Sequence, residues 1–279
     1  MSELTQADLD YDLETPGAIE RRFDIEIVDL DSGDATAVMS IPIAGHRNPF
    51  TGMPTVGALA ILVDAVGGMV NHFRRPPDRW TVSSELSVEL SPDGAIQHTD
   101  SASPVIAAAR PLGPVGASAL SLCTLTSSET VIGAGTVRSF YISTNSITTQ
   151  WPPDSLRKTA RTPLSDLMAV ETLSDEDGTR VLRQRVDPIL NNAIGIVNGG
   201  VVAAGLELAA SAAINPEPDG YPLRTASVRV NFLRPFFAGQ DSRYMGAPLR
   251  IGRRTAVADA QAVGDDGRVA VTARVTAYR

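Results

Sequence analysis

An α+β chain in which one unit occurs twice is the fold class this sequence predicts. Three observations predict it. The 279 residues are 43% hydrophobic and the mean hydropathy is +0.01, so the chain can bury a real core. Stretches of period-two alternation accompany two long apolar runs of helical length. The chain also matches itself: at an offset of 143, residues 36–92 fall on 179–235 without a gap. Asn48 then lies on Asn191, Gly57 on Gly200, Ser84 on Ser227 and Pro92 on Pro235.

The elements follow in the same order in each half. A strand comes first ("DATAVMSIPI" and "GTRVLRQRV"), then a loop carrying Asn and Gly, then a long helix. That helix is apolar on nearly every face, so it is expected to be wrapped and not laid on a surface. A connector rich in proline and charge leads to a strand ending in Pro ("TVSSELSVELSP" and "TASVRVNFLRP"). Two further strands close each half, "ASALSLCTLTSSETVIGAGTVRSFYI" and "TAVADAQAVGDDGRVAVTARVTAYR", with "GDDGR" at Gly264–Arg268 as a hairpin turn. "NSITTQWPPDSLRKTARTP", 145–163, has Pro, polar residues and no periodicity, so it reads as a linker. It divides an N-terminal unit, 1–144, from a C-terminal unit, 164–279.

Composition narrows the function classes. A net charge of -8 argues against nucleic acid or an anionic membrane as the main partner. Cys123 is the single cysteine, which excludes an intrachain disulfide or a multi-cysteine metal site, and on its strand it reads as a small core residue. His46, His72 and His98 fit no metal-ligand spacing and read as surface or loop residues, so no metal is expected. The longest apolar run, Val56 to Val70, contains Asp64 and is short for a membrane span. The opening "MSELTQADLDYDLETPG" has no hydrophobic signal-peptide core, and a soluble cytoplasmic protein is the expectation. No P-loop, dinucleotide fingerprint or nucleophile elbow occurs.

One residue does not fit a purely structural helix. Between Val201 and Ile214 the polar side chains are Glu207 and Ser211 alone. A charged carboxylate buried there costs several kcal/mol unless it has a partner, a raised pKa or a water-filled cleft. The repeat places Asp64 at the same position in the first half. Upstream, Gly199 and Gly200 open the helix, where backbone N–H groups have no intrahelical acceptor and the dipole favours negative charge. Asn192 and Asn198 are placed to cap that tip.

The pattern Asn192, Gly195, Asn198-Gly199-Gly200 and Glu207, followed by a strand ending "NFLRP", resembles the hotdog-fold acyl-CoA thioesterases. The phenylacetate-pathway and 4-hydroxybenzoyl-CoA types are the most similar, with His-Gly-Gly where this chain has Asn198-Gly199-Gly200. The resemblance covers almost all of the second half and, through the repeat, most of the first. It implies a tandem double hotdog, one polypeptide imitating the usual homodimer, with further homo-oligomeric assembly. It also implies that the acid of one half faces the helix tip of the other, since seven residues span roughly 10 Å along a helix and keep an acid from its own tip. Two clefts follow. One pairs Asp64 with Asn192, Asn198, Gly199 and Gly200; Val82 is the aligned strand position, with Ser83 beside it. The other pairs Glu207 with Asn48, Thr55 and Gly57, with Thr225 as a strand hydroxyl. The first keeps the better amide-rich tip and is the one expected to act.

The implied activity is acyl-CoA thioester hydrolysis, with coenzyme A entering only as part of the substrate and no cofactor. Arg234, Arg253 and Arg254 are candidates for its phosphates, with Arg229 as another, and Met69, Phe73 and Phe232 for the floor of an acyl tunnel. Replacement of the motif His by Asn198 keeps a second reading open, a non-catalytic hotdog that binds an acyl ligand. A hydratase would need a His shortly after "NP", and "RNPFTGMPTVG" has none.

Overall fold

The computed structural model describes residues 17–91, 103–144, 147–148, 150–174, 180–216 and 222–279. His98 therefore lies outside the described residues. In chain order the elements are helix α1 (Ala18–Phe23), β1 (Glu26–Asp31), β2 (Thr36–Ile41), α2 (Gly57–Phe73), β3 (Trp80–Leu90), β4 (Val105–Pro111), β5 (Ser118–Ser127) and β6 (Thr130–Ile142). There follow α3 (Leu164–Leu167), β7 (Val170–Ser174), β8 (Arg180–Gln184), a 3-10 turn (Pro188–Leu190), α4 (Gly199–Ile214), β9 (Arg224–Phe232), β10 (Arg243–Ile251), β11 (Thr255–Val263) and β12 (Val269–Tyr278).

The strands form one twelve-stranded antiparallel sheet in the order β1-β2-β4-β5-β6-β3-β9-β12-β11-β10-β8-β7. β2 to β6 curl around α2 and β8 to β12 around α4, while α2 and α4 pack on each other. Sheet on all other sides explains why helices with no polar stripe are stable here. Thirteen of the seventeen residues of α2 are buried, Asp64, Asn71 and His72 among them. One continuous core holds both helices and the inner face of both sets of strands.

The expected strands are present, and elements that patterning does not reveal join them. β4, "VIAAARP", alternates in burial but carries Ala on both faces, so hydropathy hides the period. β10 contains Gly246 and Pro248, which read as breakers. β1 is an edge strand with little burial, and β7 lies at the other edge. α1 and α3 are too short for a helical period.

Two sequence expectations are corrected. His46 and His72 are not surface residues; they are 8% and 7% exposed. Burial pushes their pKa down, to about 4 and about 3, with the Arg75 charge adding to the effect at His72. His72 packs edge-on against Trp80, its Nδ1 3.0 Å from Thr81 Oγ1. The segment 145–163, read as a linker, contains no described helix or strand. Trp151 Nε1 donates to Asn191 O at 3.0 Å, and Asp154 pairs with Arg22 at 2.7 Å.

The second correction concerns register. The offset of 143 holds along the helices: Gly57 approaches Ala204 as Gly200 approaches Ile61. In the central strands it is 142. β3 and β9 pair from Glu85↔Asn231 to Glu89↔Ser227, so the local two-fold passes through Ser87↔Arg229. Each strand also carries one extra residue, Ser84 or Ala226, relative to its outer neighbour. Because side chains alternate between faces, one position of slip changes which residue points inward. The counterpart of Thr225 is thus Ser83, not Val82.

Candidate active site

The two acids sit on facing helices, each reaching across the helix pair. Gly200 at the tip of α4 comes so close to α2 that an added Cβ would lie 2.6 Å from Ile61 Cα, which explains a glycine there by packing alone. That approach brings Gly200 N–H to Asp64 Oδ2 at 2.8 Å. Asp64 Oδ1 accepts from Ser83 Oγ, also at 2.8 Å. Burial raises the Asp64 pKa, and the bonds from Ser83 and Gly200 oppose the rise. Asn198 is the N-cap of α4, its Oδ1 accepting from Val201 N–H at 3.2 Å. Asn192 folds its own loop, Oδ1 accepting from Ile194 and Ile196 N–H.

These groups border a cavity of about 540 Å³. Asp64, Ser83, Asn192, Asn198 and Gly199 line it, and Arg234 stands exposed at its rim. Gly200, committed to Asp64, lies behind them. Much of the remaining wall is apolar, including Met69, Trp80, Val82, Phe140 and Phe232. Phe73, expected at the tunnel floor, is not part of the wall. Gly17 to Glu20 and Trp151 contribute to it, and no sequence signal connected those distant segments to the site.

The second acid has a different setting. Glu207 is 1% exposed and accepts from Thr55 Oγ1 and Thr225 Oγ1, each at 2.6 Å. Gly57 N–H, at the tip of α2, donates to Thr55 Oγ1 at 3.1 Å, so a hydroxyl stands between amide and acid. Burial raises the Glu207 pKa against bonds from Thr225, Thr55 and Ser211. The space beside it is about 80 Å³, lined by Asn48, Glu207 and Thr225 among others. Asn48 points its Nδ2 at Leu208 O and Ser211 Oγ, 2.8 and 2.9 Å away.

The remaining candidates separate from both clefts. Arg253 and Arg254 are exposed in the turn between β10 and β11 and line neither space. Arg229 is paired with Glu89 on the exposed face of β3. Cys123 is fully buried, its thiol pushed up to about 12 by burial and by the Asp64 charge. Among the described residues, no group of three or more His, Cys, Asp or Glu is gathered as a metal site, and no helix is long and apolar enough to cross a membrane.

No curated protein matches the sequence at a significant level. Solved structures do match its fold along nearly the whole chain. The tesB protein of Mycobacterium avium subs paratuberculosis superposes with a TM-score of 0.60 at 15% identity, covering 93% of this chain and 97% of that one. Acyl-CoA thioesterase II TesB2 from Mycobacterium marinum gives 0.57 at 14%, over 94% and 96%. A conserved protein of unknown function with a hot dog fold from Alicyclobacillus acidocaldarius gives 0.58 at 14%, over 95% and 98%. At such identities the likeness establishes fold alone. Sequence adds to it where the acid-bearing α4 and its strands lie: residues 188–278 match the family model of the acyl-CoA thioesterase N-terminal domain. The fold of nearly the whole chain is thus that of the hotdog structures, and over its C-terminal third the sequence is similar to an acyl-CoA thioesterase domain.

Proposed function

We propose that the chain is a tandem double hotdog, arisen by duplication, that hydrolyses an acyl-CoA thioester in the larger cavity with Asp64 as its base. The observation that carries this reading is the 2.8 Å bond from Gly200 N–H to Asp64 Oδ2 at the wall of the 540 Å³ space. It places a carboxylate and an amide-rich helix tip around one point. In the proposed reaction Asp64 takes a proton from water as the water oxygen adds to the thioester carbon. The adduct collapses, the C–S bond breaks, and the proton passes from Asp64 to the departing thiolate. Free acid and coenzyme A thiol result.

Negative charge on the carbonyl oxygen is met by Gly199 N–H, which has no intrahelical acceptor, and by the Asn198 side chain. Since Asn198 Oδ1 is held by Val201 N–H, its NH₂ group is turned outward, a donor where the resembling family has an imidazole. Each such donor is worth roughly 2.7–4 kcal/mol in the transition state. Arg234 at the rim suits a coenzyme A phosphate. These groups carry the reaction unaided in this reading, and an acyl-CoA substrate places it in the cytoplasm. Pairing of such double units into a homo-oligomer is checked by analytical ultracentrifugation.

Thiol release over a panel of acyl-CoAs tests the assignment. Asp64→Asn is expected to lower kcat by about 10²–10⁴, and Glu207→Gln to stay within a few-fold of wild type. The opposite ranking would move the chemistry to the smaller space. A second reading, a non-catalytic binder of acyl-CoA, draws support from Asn198 in the motif position and from both Asp64 oxygens being engaged. Its signature is saturable binding of acyl-CoA by the wild type with no thiol released.

A further inference from the structure

We propose that Gly68 sets the bore of the acyl site: the acyl tail leaves Asp64 along one face of α2, passes Gly68 and ends toward His72. The identity of the ligand rests on the functional reading above; the route rests on geometry. Asp64, Gly68 and His72 are four residues apart in turn, so they stack on one helix face over about 12 Å. All three line the large cavity.

Packing does not explain this glycine. A Cβ on the preceding Gly67 would lie 2.7 Å from Val137 Cγ2 and 2.8 Å from Ser121 Oγ, so contact with the sheet demands glycine there. A Cβ on Gly68 meets nothing within 4 Å. Glycine in a helix interior is unfavourable, and at Gly68 the return is open space beside the acid.

The second half shows the same position filled. One turn past Glu207 the place of Gly68 is taken by Ser211, and Asn48 Nδ2 reaches in to bond it at 2.9 Å. The space there is about 80 Å³ against about 540 Å³ beside Gly68. Beyond Gly68 the wall is Met69, Trp80 and Phe140, and His72 is bonded to Thr81. The tail this route accepts is therefore uncharged, an alkyl or aryl group that extends well past the carbonyl.

The two tryptophans of the chain, Trp80 and Trp151, both line the cavity, so intrinsic fluorescence reports its occupancy whether or not turnover occurs. Wild type, Gly68→Ser and Gly68→Leu would be titrated with acetyl-, hexanoyl- and dodecanoyl-CoA, and kcat/KM measured alongside. Gly68→Leu is expected to weaken dodecanoyl-CoA by about tenfold or more relative to acetyl-CoA. Gly68→Ser, which installs the residue of the other half, should give a graded loss and keeps the test alive if the leucine variant misfolds. A responsive wild type whose length preference survives both substitutions overturns the route while sparing the functional reading. A wild type that answers no acyl-CoA by fluorescence or thiol release overturns both.

Discussion

Ser83 and Thr225 show how much depends on a single hydroxyl. Each donates to the acid of its own half, and each sits just before the extra residue in its strand. At Asp64 burial favours the neutral acid and the Ser83 bond favours the carboxylate. A general base works only when ionised, so activity is present above its pKa and fades as pH falls through it. Ser83→Ala removes a bond that lowers that pKa. The acid limb of the kcat/KM profile is therefore expected to move to higher pH, with a lower plateau, and a profile whose limb stays in place would disconnect Ser83 from Asp64. Both acids were legible in the sequence because a charge in an apolar helix is conspicuous. Ser83 was legible only as a neighbour, since a one-residue bulge leaves no mark on composition. His72 misled for a related reason: on a helix wrapped on every side, a polar residue near the end is buried as fully as one in the middle.

Among the elements, α1 and the segment from Trp151 to Lys158 do the least for the sheet and the most for the cavity mouth. Arg22 of α1, 1% exposed, pairs with Asp154 and Asp187 and donates to Leu167 O. Lys158 bonds Asp24 and Arg21 O nearby. Three wall segments, Gly17–Glu20, Trp151 and the loop after Asp187, are held to one guanidinium. Breaking a fully buried pair costs about 3–5 kcal/mol. With the Asp154 and Asp187 side chains 32% and 20% exposed, Arg22→Met is expected at about 3 kcal/mol or a little less in urea denaturation. Burial pushes the Asp154 carboxyl up, but Arg22, the Leu156 N–H and the Lys158 charge outweigh it and hold the pKa low. Stability from a depressed acid is present above its unfolded pKa and lost as pH falls through the folded one. The gap between wild type and variant should narrow on acidification; a gap independent of pH would point to lost packing alone. None of this was readable from the chain, because Arg22 and its partners are 132 and 165 positions apart and carry no local pattern.

At the scale of the whole molecule, the two halves of the chain form one object. β3 and β9 join their sheets without a break, and a single core runs through both helices. Such a structure is expected to unfold in one step, with far-ultraviolet dichroism and tryptophan fluorescence giving coincident urea curves; separated curves would mean that the halves keep independent stabilities. The match of one half of the sequence to the other was legible because glycines, a proline and an acid keep step along the chain, while the one-residue slip in the central strands was not, since no residue type announces it. The covalent joining of the halves has a further effect. When two identical subunits meet, any substitution appears on both sides of their axis at once, so opening one chamber opens its twin. Written once in a continuous polypeptide, a glycine can be kept at 68 while a serine occupies 211, and the two chambers are free to follow separate histories.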